Sequence, residues 1–147
     1  MRPSRPPFHR QQTNDSCVPA CLKMVLAGFG FEISEAELRV LCDCTYDGTN
    51  ALQAMDAARQ LGFVNTTKQN LTLSELQSLT EAGHFPIAFI DLTPITGIYR
   101  AHAVVVVALN PFSVEVIDPA SGERLIPRDV FDLAWSLRRR LTLLIEP

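Results

Sequence analysis

The amino-acid sequence predicts an α+β fold in which helices come first and antiparallel strands follow. Before about Phe85, apolar residues recur at helical spacing and their runs end near glycines. After Phe85, short runs rich in valine and isoleucine are separated by turn residues. The length of 147 residues, with 47% hydrophobic and 20% charged residues, is typical of one globular domain.

Four helices are predicted in the first part of the chain, over about residues 17–28, 34–42, 50–61 and 74–82. Ser34 and Glu37 have the spacing of a capping box, which marks the start of the second helix. Gly62 and Gly83 follow the third and fourth helices, where a left-handed residue is favoured. A further helix is predicted later, over about residues 129–137.

The predicted strands cover about residues 63–67, 86–92, 101–109, 114–118 and 141–145. Two of them are apolar almost throughout, which predicts burial on both faces of the sheet. The segment 110–113 is a turn between the third and fourth of these strands, and residues 120–123 form another turn.

Residues 1–10 are rich in arginine and proline, and we expect a flexible N-terminal arm with little buried surface. Residues 11–147 are then a single domain. The arm lacks the pattern of a secretory signal, and no apolar run approaches the roughly 18 residues of a membrane span. We therefore expect a cytoplasmic protein without membrane insertion. The net charge of −3 argues against nucleic acid as a partner.

Cys17 is the first candidate for chemistry, because it lies where a polar loop gives way to a helix. The helix dipole and the free amides of the first turn favour a thiolate at that place, which suits a nucleophile. The alternative is structural: Cys17 and Cys21, four residues apart, are both small apolar residues on a buried helix face.

His102 is the histidine best placed to serve as a base, at the start of a buried strand. Asp118 lies 16 residues later, at the end of the next strand. In an antiparallel hairpin these two positions meet at one edge of the sheet, where the carboxylate can orient the imidazole toward Cys17. Considered alone, His102 could be a buried core histidine and Asp118 could be an aspartate that begins a turn. His9 and His84 are predicted to be solvated.

The segment Gln11 to Leu26 (QQTNDSCVPACLKMVL), the run Ala101 to Leu109 and the segment Val116 to Pro119 together resemble a known family. They are similar to the papain-like cysteine peptidase domains that remove double-glycine leaders from bacteriocins, usually fused to ABC exporters. Two positions depart from the family pattern, since Ser16 replaces the usual aspartate before the cysteine and Val18 the usual glycine after it.

The resemblance implies a papain-like fold and a cysteine peptidase that needs no cofactor or metal. It implies that Cys17 is the nucleophile, His102 the general base and Asp118 the orienting residue. Gln11 would donate its side-chain amide to the oxyanion, with Gln12 as the runner-up. The implied partners are a peptide or protein substrate, with a glycine-containing leader as one possibility, and a transporter or maturation partner.

Three other functions remain open at the level of sequence. The domain could bind peptides without cleaving them, or it could use the same triad for acyl or amide transfer. The four cysteines (Cys17, Cys21, Cys42 and Cys44) could instead hold a structural zinc ion, although their spacing is not that of zinc knuckles. The basic run 138–140 is interpreted as a solvated helix end or a docking patch for an acidic partner. The oligomeric state is left open.

Overall fold

A computed structural model describes residues 2–147. The helices are α1 Cys17–Gly28, α2 Glu35–Leu41, α3 Ala51–Gln60, α4 Leu73–Glu81, α5 Thr93–Thr96 and α6 Arg128–Ser136. The strands are β1 Thr67–Asn70, β2 Ile87–Asp91, β3 Ala101–Leu109, β4 Ser113–Asp118, β5 Gly122–Pro127 and β6 Leu141–Leu144. The strands form one antiparallel sheet in the order β1-β6-β2-β3-β4-β5.

The sheet has a hydrophobic core on each face. Ala103 and Val105 of β3 point toward α1, α2 and α3, while Val104 and Val106 point toward α4 and α6. All four side chains are fully buried, because successive residues of a strand alternate between its faces. The prediction that this apolar strand is covered on both sides is therefore confirmed.

The helices of the first part of the chain agree with their predicted positions within a few residues. At the start of α2, Ser34 Oγ accepts a hydrogen bond from the Glu37 amide, and the Glu37 carboxylate accepts one from the Ser34 amide, both at 3.1 Å. The predicted capping box is thus present. Gly62 follows α3 with a φ of 100°, in the left-handed region that favours glycine.

The predicted strand at residues 63–67 is wrong, because Phe63 belongs to an aromatic cluster. Its ring packs edge-on against Phe29 and Phe31, with centroids 5.2 and 5.8 Å apart. The strand starts at Thr67 and is polar, so no apolar alternation marked it. The sequence analysis also missed β5 and the short helix α5. Strand β5 is an edge strand held to β4 along its whole length.

The N-terminal arm contains no helix or strand over residues 2–10 and most of its residues are exposed, but it contacts the domain at several points. Pro6 is buried, and the Ser4 amide donates to the Gly28 carbonyl oxygen at 2.7 Å. Arg5 forms ion pairs with Glu115 and Glu123 at 3.2 and 2.7 Å. A Cβ atom at Gly28 would lie 2.5 Å from the Ser4 carbonyl oxygen, so glycine is what permits this close approach.

None of the helices within residues 2–147 has the length and apolar character needed to cross a bilayer.

Candidate active site

Cys17 is the first residue of α1, as the sequence predicted. The N-cap residue Ser16 does not cap the helix, because its hydroxyl accepts from the Thr13 amide at 3.0 Å and donates to the Thr13 carbonyl oxygen at 3.2 Å. Within residues 2–147, no acceptor is hydrogen-bonded to the Cys17 amide. The thiol therefore lies beside a free backbone donor at the positive end of a helix dipole.

His102 and Asp118 meet at the end of the β3–β4 hairpin. Strand β3 begins next to the end of β4, with Val105 opposite Ile117, and this register brings the two side chains together. His102 Nε2 lies 2.7 Å from Asp118 Oδ1, and both side chains are almost fully buried. The hydrogen bond occupies Nε2, so Nδ1 is the ring nitrogen left for another partner.

Two further donors hold the Asp118 carboxylate. The Ala120 amide donates to Oδ1 at 2.8 Å, and Arg124 Nη1 of strand β5 donates to Oδ2 at 3.3 Å. A carboxylate with donors on both oxygens is fixed in orientation and stabilised as an anion. Sequence reasoning missed Arg124 because it lies on the strand that was not predicted.

Cys17 and His102 line the same cleft, which has a volume of about 530 Å³. Val18 follows Cys17, is buried and lines the cleft at the position where the family pattern has glycine. Phe89 of β2 and the segment 46–51 also line the cleft. The cleft is open to solvent and is lined by both polar and apolar residues.

Gln11 lies next to this pair but does not line the main cleft. It lines an adjoining cavity of about 260 Å³ together with His102 and Asp118. Its Nε2 donates to the Thr13 carbonyl oxygen at 2.8 Å, and its Oε1 is buried without a partner among residues 2–147. Gln12 is exposed, so of the two glutamines Gln11 is the one on the side of the site.

A sequence profile described as the peptidase C39 family matches residues 5–147. The chain belongs to the peptidase C39 family. It is also 32% identical over 132 residues to the transport/processing ATP-binding protein ComA of Streptococcus pneumoniae, covering 88% of this chain and 17% of ComA. An uncharacterised protein of Methanothermobacter marburgensis is 33% identical over 122 residues, covering 83% of this chain and 78% of that protein.

Solved structures share the fold of this C39 domain. The peptidase domain of Streptococcus ComA, described as a bi-functional ABC transporter involved in quorum sensing, superposes with a TM-score of 0.81 at 25% identity, covering 95% of this chain and 97% of that one. A double-glycine motif protease from an AMS/PCAT transporter, solved with its leader peptide, gives 0.79 at 24% identity, covering 100% and 99%. The predicted fold class is confirmed.

The surroundings of His102 in this C39 domain favour the imidazolium. Burial opposes the charged form, but interactions with Asp118 and with Cys17 outweigh it and raise the pKa of His102 from 6.5 to about 9. For Asp118, burial likewise opposes the charge, and the hydrogen bond to His102 outweighs it and lowers the pKa of the carboxyl group. The site therefore holds an ionised carboxylate against a protonated imidazole near neutral pH.

The other three cysteines of the C39 domain lie apart from this chemistry. Burial, and secondarily the charges of Cys17 and Asp118, raises the pKa of the Cys21 thiol well above its usual range, and this thiol donates to the Ala103 carbonyl oxygen at 3.4 Å. Burial raises the pKa of Cys42 to about 12. Cys44 is half-buried, and its thiol lies 3.5 Å from the Asp15 carbonyl oxygen.

The structure does not bring the four cysteines together as a zinc site. Across residues 2–147, no group of three or more histidine, cysteine, aspartate or glutamate side chains is arranged to hold a metal ion. The cysteines are separated because Cys21 faces the sheet from α1, whereas Cys42 follows the end of α2. The zinc alternative is therefore wrong for this fold.

Glu35 is a buried carboxylate near the site that the sequence did not indicate. Glu35 accepts from His9 Nε2 at 3.0 Å and from the Gln12 amide at 3.0 and 3.2 Å, and Arg39 lies 3.6 Å away. His9 is thus half-buried rather than solvated, and His84 is half-buried beside Glu146 at 3.6 Å. Glu35 looked like an ordinary first-turn acid, and only the fold places the segment before Cys17 against it.

Proposed function

We propose that the chain is a cysteine peptidase that hydrolyses a peptide bond through an acyl-enzyme. The observation that carries this proposal is the buried hydrogen bond of 2.7 Å between His102 and Asp118, at a cleft that His102 shares with Cys17. Cys17 would then be the nucleophile, His102 its base and Asp118 the carboxylate that orients the base, which is the arrangement that nucleophilic catalysis requires.

In the first half of the reaction, the Cys17 thiolate attacks the carbonyl carbon of the scissile bond. The C–S bond forms and the electron pair of the carbonyl moves to its oxygen. His102, protonated at Nδ1, then gives that proton to the leaving nitrogen as the C–N bond breaks. The products are a thioester on Cys17 and a free amine, with His102 neutral.

In the second half, neutral His102 takes a proton from water as the water oxygen attacks the thioester. Collapse of the second tetrahedral intermediate breaks the C–S bond and releases the carboxylic acid. Cys17 leaves as the thiolate beside the imidazolium, so the starting state is restored. Asp118 stays ionised throughout and holds the ring in the orientation that presents Nδ1.

The oxyanion of both intermediates needs donors, and two are available. The Cys17 amide has no acceptor within residues 2–147, and the amide group of Gln11 has one N–H left after its bond to Thr13. Removing one such donor typically costs about 3 kcal/mol of transition-state stabilisation. The contact with Thr13 also fixes the orientation of the Gln11 amide group.

We propose a peptide with a glycine-containing leader as the substrate. The support is the likeness to a double-glycine motif protease solved with its leader peptide and to the processing protein ComA. We also propose a cytoplasmic reaction with a transporter as partner, since the chain spans 17% of the length of ComA, a transport and processing protein. The four unpaired thiols are typical of a reducing compartment.

The test uses wild type, Cys17→Ala and His102→Ala with synthetic leader peptides that carry a central Gly-Gly. We expect wild type to cleave after the glycines and to form a transient adduct with the mass of the acyl group on Cys17. Both variants should lose cleavage. Equal cleavage by wild type and Cys17→Ala would overturn the proposal, and transfer of the acyl group to an added amine would point to a transferase.

A further inference from the structure

Three consecutive arginines follow α6, and the structure gives them different surroundings. Arg140 pairs with Asp132 through two hydrogen bonds of 3.0 and 3.1 Å. Arg139 is exposed to solvent. Arg138 is half-buried and lines the same cleft as Cys17. The interpretation of the run as a solvated helix end therefore does not hold for Arg138.

The guanidinium of Arg138 has unused donors. Its ionic partner is Asp91, with 3.7 Å between Nη2 and Oδ2, which is longer than a hydrogen bond. Asp91 Oδ1 accepts from the Thr93 amide at 2.9 Å and from the Thr93 hydroxyl at 2.5 Å, which holds the carboxylate with Oδ2 toward Arg138. Arg138 Nε is buried and has no acceptor among residues 2–147.

A buried Nε without an acceptor is costly to the free protein, because that N–H group has lost water without gaining a partner. A carboxylate can accept from two N–H groups of the guanidinium at once, with charge assistance. The group is therefore prepared for an anionic, planar ligand that enters through the cleft.

The distance between Arg138 and the reacting centre can be estimated from the order and spacing of the strands. Leu141 opens β6 and lines the cleft with Arg138, while His102 lies on β3, and β2 runs between these two strands. The ionic partner of Arg138, Asp91, is paired with Ala101 of β3, the residue before His102, so the guanidinium lies within about two strand spacings, roughly 10 Å, of His102. An extended peptide advances about 3.3 Å per residue, so this distance corresponds to about three residues of substrate or fewer.

We propose that Arg138 forms a subsite for a carboxylate of the substrate, within about three residues of the scissile bond. Phe89 and Leu141, which line the cleft beside it, would pack against the aliphatic part of the acidic residue. The inference rests on the proposed peptidase function for its setting. The carboxylate is a glutamate or aspartate side chain, or the free C-terminus of a short peptide.

The test measures binding, so it does not depend on turnover. Cys17→Ala protein is titrated with end-blocked alanine decapeptides that have a central Gly-Gly. For each position within four residues of Gly-Gly, one peptide carries Glu and its partner carries Gln. One further pair of peptides ends three residues after Gly-Gly, with either a free or an amidated C-terminus. R138Q and the control R139Q are compared in the Cys17→Ala background.

We expect one Glu peptide, or the free C-terminus, to bind about 10-fold more tightly than its neutral counterpart. R138Q should bind the two members of that pair alike, and R139Q should keep the preference. Three results would overturn the inference. The protein that keeps Arg138 could bind the charged and the neutral member of every pair equally, it could bind none of the peptides measurably, or R138Q could keep the preference for the charged member. Cleavage by wild type with no charge preference would leave the peptidase proposal standing while this one fails.

Discussion

The Nε2 atom of His102 lies 2.7 Å from Asp118 Oδ1, and both side chains are almost fully buried. Because the bond occupies Nε2, the ring is held with Nδ1 as its free nitrogen. In the charged form, the buried imidazolium is balanced by a carboxylate that is itself fixed by Ala120 and Arg124. The pair is therefore a buried, oriented ion pair at the cleft that Cys17 also lines.

Replacing Asp118 by Asn should lower kcat strongly and leave the fold intact. An amide cannot balance the imidazolium and can hold the ring in the wrong tautomer, an effect worth about 10²- to 10⁴-fold in comparable triads. The rate of peptide cleavage checks this, with circular dichroism as the measure of folding. Asp56→Asn, at an exposed position of α3, is the matched control and should cleave at the wild-type rate. An Asp118→Asn protein as fast as this control would remove Asp118 from the mechanism.

The stability of the fold should depend on pH through His102. Its pKa is about 9 in the folded protein, against 6.5 in an unfolded chain. The folded state thus binds the extra proton between these values, and the contribution of His102 to stability is complete below about pH 6.5 and is lost as pH rises through 9.

Urea unfolding at several pH values checks this linkage. The free energy of unfolding of wild type, relative to His102→Gln, should fall by up to about 3 kcal/mol between pH 6 and pH 9.5. Asp118→Asn should reduce that fall, because Asp118 is the main group that raises the pKa. A difference between wild type and His102→Gln that stays constant over this range would contradict the assignment.

Gln11→Ala should reduce kcat by about 10²- to 10³-fold if the side chain donates to the oxyanion. KM should change less, because the donor acts mainly on charge that develops in the transition state. Gln12→Ala is the neighbouring control: the Gln12 side chain is exposed, and its backbone amide would still bind Glu35. If the Gln12 variant loses more activity than the Gln11 variant, the roles of the two residues are reversed.

The sequence could predict those parts of the fold that local patterns specify. Residues close together in sequence specify the capping box at Ser34, the glycine after α3 and the buried apolar strand β3. The meeting of His102 with Asp118 followed from hairpin geometry, since only one turn separates their strands. Their catalytic roles remain a prediction.

The rest depended on contacts that are distant in sequence. Strands β1 and β5 are edge strands without an apolar alternation: β1 is polar, and β5 buries only one large apolar side chain, Ile126. Backbone hydrogen bonds join them to β6 and β4. Arg124 reaches Asp118 only because β5 is present. Glu35 and Arg138 lie near the cleft because of the packing of α2 and the connection from α6 to β6, which no local pattern shows.

The central claim is that Cys17 and His102 act as one reactive pair. The most direct test is alkylation by iodoacetamide between about pH 5 and pH 9, read for each cysteine by peptide mass spectrometry, in wild type and in His102→Ala. Cys21 and Cys42 are internal controls, because both are buried and burial raises their pKa values.

We expect Cys17 to be labelled first and selectively at about pH 6 in wild type, because reactive cysteines typically lie, as Cys17 does, at a helix N-terminus beside a histidine. That selectivity should disappear in His102→Ala. If Cys17 reacts no faster than Cys44 in wild type, or if its rate is the same in both proteins, Cys17 and His102 do not form a catalytic pair in this fold.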